Sequence, residues 1–142
     1  MSVPDKPFNF IHKITPFDVQ IIDISKNENH VIEHDNKLWC NGDLRGGSNL
    51  LRLDDGGYFT IVHRRKGAFY VNNFFVFDEN LKLKHFSNNF NFGNIYPIEI
   101  SMSMFYLNNS NNTLIGITVC ENDSFQYLYI FDKNNLMNFI NK

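Results

Sequence analysis

Four side chains in this sequence have the type and setting for chemistry. Arg45 stands before two glycines in the polar run Leu44-Arg45-Gly46-Gly47-Ser48. Glycines let a backbone approach a ligand closely, and a guanidinium offers a planar fork for an anion or for sugar hydroxyls. His63 is followed by Arg64, Arg65 and Lys66, a cationic run suited to a phosphate or a carboxylate. Glu99 and Asp123 are carboxylates of the kind that glycoside chemistry uses in pairs, one as acid and one as base or nucleophile. Trp39, Tyr70 and Tyr96 have ring faces that can stack on sugars. Each feature also has a plainer reading: a tight turn, a solvated basic loop, surface charge. With fifteen phenylalanines and six tyrosines in the chain, most aromatic rings must simply be core.

Elements that could gather these residues are strands. Apolar residues fall in short runs rich in Ile, Val, Phe and Tyr, separated by Asn, Asp, Gly and Ser. The pattern predicts strands at 8–12, 19–24, 50–53, 58–63, 69–77, 81–86, 98–106, 114–120 and 125–131. Asp54-Asp55-Gly56-Gly57, Asp78-Glu79-Asn80 and the asparagines at 108–112 supply turn residues, so three hairpins follow in series. Phe74-Phe75-Val76-Phe77 is apolar on consecutive positions, which predicts a strand covered on both faces. Only 133–140 has near-helical spacing, at Leu136, Phe139 and Ile140, with Asp132 before it as a cap. The fold class is therefore all-β with one short C-terminal helix. Serial antiparallel hairpins of this length suit a sandwich or a β-propeller.

Length and charge narrow the function. At 142 residues the chain is one domain, 1–142. A formal net charge of −2 gives no electrostatic reason to expect nucleic acid or an anionic membrane as partner. No apolar run approaches the length of a membrane span, and Met1 to Lys6 lacks the apolar centre of a signal peptide, so the expected location is cytoplasmic. Cys40 and Cys120 are far apart in sequence and read as buried, reduced thiols; no metal and no cofactor are called for.

In order along the chain, these pieces resemble the five-bladed β-propellers of the mannoside phosphorylases and the related β-1,2-mannosyltransferase-like proteins. The resemblance rests on Phe8-Asn9-Phe10-Ile11-His12-Lys13-Ile14-Thr15-Pro16 with Val19-Gln20-Ile21-Ile22, then Leu44 to Ser48, then Gly57-Tyr58-Phe59-Thr60-Ile61-Val62-His63. It continues through Phe74-Phe75-Val76-Phe77-Asp78, Ile98-Glu99 and Ile115 to Asp123. It implies a propeller portion of about two to three blades, incomplete at its N-terminus, and a sugar or sugar-phosphate ligand. By that resemblance Arg45 and His63 border the phosphate or leaving group, while Glu99 and Asp123 line the sugar site. Asn72 and Asn73 stand where the family carries a histidine and an arginine, and the family's general-acid aspartate has no counterpart, so no catalytic residue is assigned. If the chain is an enzyme, the implied reaction is mannosyl transfer to or from phosphate or another sugar. The alternative is a non-catalytic carbohydrate-binding or protein-interaction module. An open partial propeller also leaves strand edges, which favours self-association.

Overall fold

The computed structural model describes three N-terminal strands as backbone and then residues 44–93, 97–107 and 111–141. The three strands, β1 (Phe8–Ile14), β2 (Phe17–Asp23) and β3 (Glu28–His34), form an antiparallel meander in the order β1-β2-β3. A second sheet holds β4 (Leu44–Gly46), β6 (Tyr58–Lys66), β7 (Phe69–Phe77) and β8 (Leu83–Phe86) in that order, with β5 (Leu51–Arg52) also paired to β6. The third sheet runs β11-β10-β9, from β9 (Glu99–Tyr106), β10 (Leu114–Glu121) and β11 (Phe125–Asp132). Helix α1 (Lys133–Ile140) follows directly. The chain is thus predominantly β, built from three successive antiparallel sheets with one short C-terminal helix.

Two elements depart from the sequence reading. Leu44-Arg45-Gly46 is a short strand paired with Arg64, His63 and Val62, rather than part of a turn. Strand β3 pairs along its whole length with β2 although its sequence, Glu-Asn-His-Val-Ile-Glu-His, is mostly polar. Backbone pairing to a neighbouring strand outweighs low strand propensity in such a segment.

The turns follow their residue chemistry. Gly56 takes φ +87° between β5 and β6, where Gly56 N–H donates to the Leu53 carbonyl at 3.1 Å. Asp78 Oδ1 accepts from the backbone of Asn80 and Lys82, which closes the turn into β8. Asn122 and Asp123 both have positive φ, 52° and 55°, in the three-residue connection 122–124 between β10 and β11, where Ser124 N–H donates to the Glu121 carbonyl at 3.0 Å. Asn and Asp tolerate that conformation better than other non-glycine residues.

Strand β7 is covered on both faces, as the consecutive apolar run requires. Phe74 and Val76 enter a core shared with Phe59 and Ile61 of β6, Met104 of β9, Ile115, Ile117 and Val119 of β10, and Leu136 and Ile140 of α1. Phe75 and Phe77 turn to the opposite face, against Leu44, Val62 and Leu81. Helix α1 is amphipathic, burying Leu136 and Ile140, and Asp132 caps it by accepting the Asn135 N–H at 2.9 Å. Asp132→Ala is expected to lower stability by about 1 kcal/mol in urea unfolding; no change would show that packing alone holds the helix.

Candidate functional site

The main core lies in a seam between the second and third sheets, and it changes character along its length. Side chains alternate faces along a strand. On β6 the seam-facing series is Phe59, Ile61, His63, and on β7 it is Val76, Phe74, Asn72, with Phe59 opposite Val76, Ile61 opposite Phe74 and His63 opposite Asn72. Across the seam, β10 presents Ile115, Ile117, Val119 and Glu121, opposite Tyr106, Met104, Ser101 and Glu99 of β9. Both sheets therefore turn from apolar to polar at one end. His63, Asn72, Glu99, Ser101 and Glu121 are all buried there, Asn72, Ser101 and Glu121 completely.

Several of these groups lack partners among the described residues. His63 Nδ1, both amide atoms of Asn72, Ser101 Oγ and both carboxylate oxygens of Glu121 are buried with no hydrogen bond to any of them. Such groups cost roughly 1–3 kcal/mol each when unsatisfied, more if charged. Glu99, by contrast, accepts the Phe92 N–H on Oε2 at 2.9 Å. The carboxyl of Glu121 is pushed above its ordinary range, first by burial and then by the neighbouring Glu99 charge. Burial also lowers the His63 pKa, with the Arg45 guanidinium adding to the effect, and the His63 ring stacks on Tyr70 at 5.4 Å with the planes 12° apart.

That depressed histidine has a consequence for stability. Below the ordinary histidine pKa of about 6.5 the unfolded chain takes up a proton that folded His63 resists, so its contribution is present above that pH and is lost as pH falls. Urea midpoints measured from pH 7 to pH 5 are expected to fall more steeply for the wild type than for His63→Gln. Parallel slopes would mean that His63 titrates normally in the fold.

Of the residues singled out from sequence, Arg45 and His63 are cross-strand partners on one face, with Arg45 exposed at the rim and His63 buried. Glu99 joins His63 at the polar end of the seam. Asp123 does not share the buried row: it is exposed at the tip of the β10–β11 turn, two residues beyond Glu121, and its positive φ is accounted for by that turn. The cationic run after His63 is dispersed. Arg64 faces away from the seam and donates to Asn89 Oδ1 at 3.0 Å, while Arg65 donates to the Gly67 carbonyl at 2.9 Å. Asn73 also faces away, donating to the Ser87 carbonyl and to Asn89 Oδ1, both at 3.0 Å. Cys120 is a free, half-buried thiol. Trp39, Cys40 and Tyr96 lie outside the described residues.

The polar run after Arg45 is a joint between the sheets. A Cβ on Gly47 would lie 2.6 Å from Ser101 Oγ and 2.9 Å from the Ile61 carbonyl oxygen. Ser48 N–H donates to that carbonyl at 3.2 Å and Ser48 Oγ accepts from Ile61 N–H at 3.0 Å. Asn49 then brackets Met104 of β9, accepting its N–H at 2.7 Å and donating to its carbonyl at 3.0 Å. The run thus fixes β9 against β6, and with it the spacing of Ser101 and Glu99 from His63.

Asn72, Ser101 and Glu121 escaped the sequence reading as site residues, although a signal was present for Asn72 and Glu121. Glu121 continues the alternating apolar series of Ile115, Ile117 and Val119, and Asn72 precedes that of Phe74 and Val76, as His63 follows Phe59 and Ile61; Ser101 gave no such signal, because the break in register of β9 puts it out of alternation with Met104 and Tyr106. A polar residue at the next inward position of an apolar series is a buried polar group in waiting. No described helix is long and apolar enough to cross a membrane. Comparison with protein-family models, with curated proteins and with solved structures finds no match to this chain.

Proposed function

We propose that the polar end of the seam is a carbohydrate-binding site, in a divergent propeller-type module of two to three blades related to the mannoside-processing proteins. One observation carries this reading: six buried polar atoms on His63, Asn72, Ser101 and Glu121 gather at one end of a single seam with no hydrogen-bond partner among the described residues. They are a mixture of donors and acceptors. Sugar hydroxyls both donate and accept, so a polyol satisfies such a set where a purely anionic or purely cationic ligand leaves half of it unmet. Glu121 and Glu99 accept from hydroxyls, Asn72 does both, and His63 holds its proton on either ring nitrogen. Arg45 at the rim suits the charged group of a sugar phosphate. The arrangement supports binding; mannosyl transfer to or from phosphate belongs to the resemblance, and no residue here is assigned the role of catalytic acid.

Titration calorimetry with mannose, mannose 1-phosphate and a β-1,2-linked mannobiose tests the proposal. Saturable binding of at least one is expected, weakened by about tenfold or more in Asn72→Leu, which strips two polar contacts and keeps the volume. Absence of heat with all three sugars would sink it.

A further inference from the structure

The face of the second sheet that turns away from the seam holds a cavity of about 210 Å³. Strand register builds its floor. Arg64 of β6 stands opposite Leu44 of β4, and Phe75 of β7 stands opposite Phe86 of β8, with Asn73 two residues before Phe75 on the same face. The chain leaving β8 adds Asn89 to the lining. The cavity is thus apolar at Leu44, Phe75 and Phe86 and polar around Arg64.

The polar part is ordered round the guanidinium. Asn73, 7% exposed, donates to the Ser87 carbonyl and to Asn89 Oδ1, both at 3.0 Å. That amide oxygen in turn accepts from Arg64 Nη2 at 3.0 Å. A neutral amide therefore positions Arg64, and no carboxylate neutralises it: among the described residues it has no ion pair, and no acidic residue lines the cavity. Its Nε is buried with no hydrogen bond to any described residue. A guanidinium has five N–H donors, and among the described residues Asn89 engages one of them. Arg64 is half-buried. A cation held partly out of water without a counter-charge is costly, and an anion brought against it offsets that cost.

We infer that this cavity binds a small monocarboxylate, with its carboxylate on the Arg64 guanidinium and its apolar or aromatic body against Leu44, Phe75 and Phe86. The planar fork of a guanidinium matches a carboxylate through two parallel hydrogen bonds. One positive charge suits a single negative charge, which favours a carboxylate over a phosphate group carrying nearly two. The apolar wall favours a ligand with carbon surface to bury. The volume lies below the roughly 300–1,000 Å³ of drug-sized sites, so the ligand is of fragment size. Arg64 and His63 are adjacent on β6 and point to opposite faces, and neither the seam nor a sugar enters this argument.

Benzoate is the probe, with benzamide as its neutral counterpart of the same shape and with acetate and inorganic phosphate as anions that lack its ring. The full chain is titrated to about 10 mM of each and followed by nuclear magnetic resonance. Benzoate is expected to shift the Arg64 Nε–H signal and the Asn73 side-chain amide to saturation. Benzamide, acetate and phosphate are each expected to bind at least about tenfold more weakly. Arg64→Gln is expected to lose benzoate binding with unchanged far-ultraviolet circular dichroism, and the comparison of benzoate with benzamide needs no variant. Unmoved Arg64 and Asn73 signals in benzoate would overturn the inference. So would benzamide, acetate or phosphate binding as tightly as benzoate, or a folded Arg64→Gln variant that still binds it.

Discussion

Glu121→Leu is expected to raise the stability of the chain while abolishing sugar binding. Glu121 is wholly buried, neither oxygen has a hydrogen-bond partner among the described residues, and Glu99 faces it from the adjacent strand. Replacing a buried, uncompensated carboxylate with an apolar side chain of similar size removes a desolvation cost, a gain of about 1–3 kcal/mol at pH 7. The pH dependence gives this a second signature. A carboxyl whose folded pKa is raised holds its proton in the fold after the unfolded chain has lost it, so stability falls as pH rises above about 4.3. The advantage of Glu121→Leu in urea midpoint is therefore expected to be smallest near pH 4 and to grow towards pH 7. Lower stability in the variant at every pH would mean that Glu121 has an internal partner and is structural. Gain of stability with loss of binding is the pattern of a functional residue held at a cost to the fold.

Phe74→Ala is expected to cost about 3–5 kcal/mol, much of the stability of a domain this size. Phe74 is 2% exposed and stacks on Phe90 at 4.6 Å with the planes 9° apart, while Phe139 of α1 meets it edge-on at 6.3 Å. Truncation removes the contact between β7, the segment at 90–92 and the helix together. That segment supplies the Phe92 N–H to Glu99, so sugar affinity is expected to fall with stability. A loss below about 1 kcal/mol in urea unfolding would show that the seam repacks around the gap.

Much of the architecture was legible from residue type. Phe74 to Phe77 announced a doubly covered strand, Asp54 to Gly57 a hairpin, and Asp132 a helix cap, because each depends on interactions within a few residues. Strand β4 was not, since Leu44-Arg45-Gly46 has little strand preference of its own and is held by β6. The site was half legible. His63, Arg45 and Glu99 stood out by type, but their company did not, because cross-strand neighbours such as His63 with Asn72 and Glu99 with Glu121 are set by register rather than by local sequence. Asp123 drew notice as a carboxylate, yet its conformation answers the needs of a hairpin turn. The run from Leu44 to Ser48 stood out as a possible ligand turn, and its close approach proves to be that of Gly47 to Ser101 across the seam, with Asn49 after it holding Met104.

Nuclear magnetic resonance can show whether the polar end of the seam binds carbohydrate. The His63 ring and the Asn72 side-chain amide are followed during titration with mannose 1-phosphate to about 10 mM, a concentration that populates even weak complexes. Saturable shifts at both residues are expected, with the backbone amide of Asp123 at the hairpin tip unmoved. Unchanged His63 and Asn72 signals throughout the titration would show that no sugar binds there.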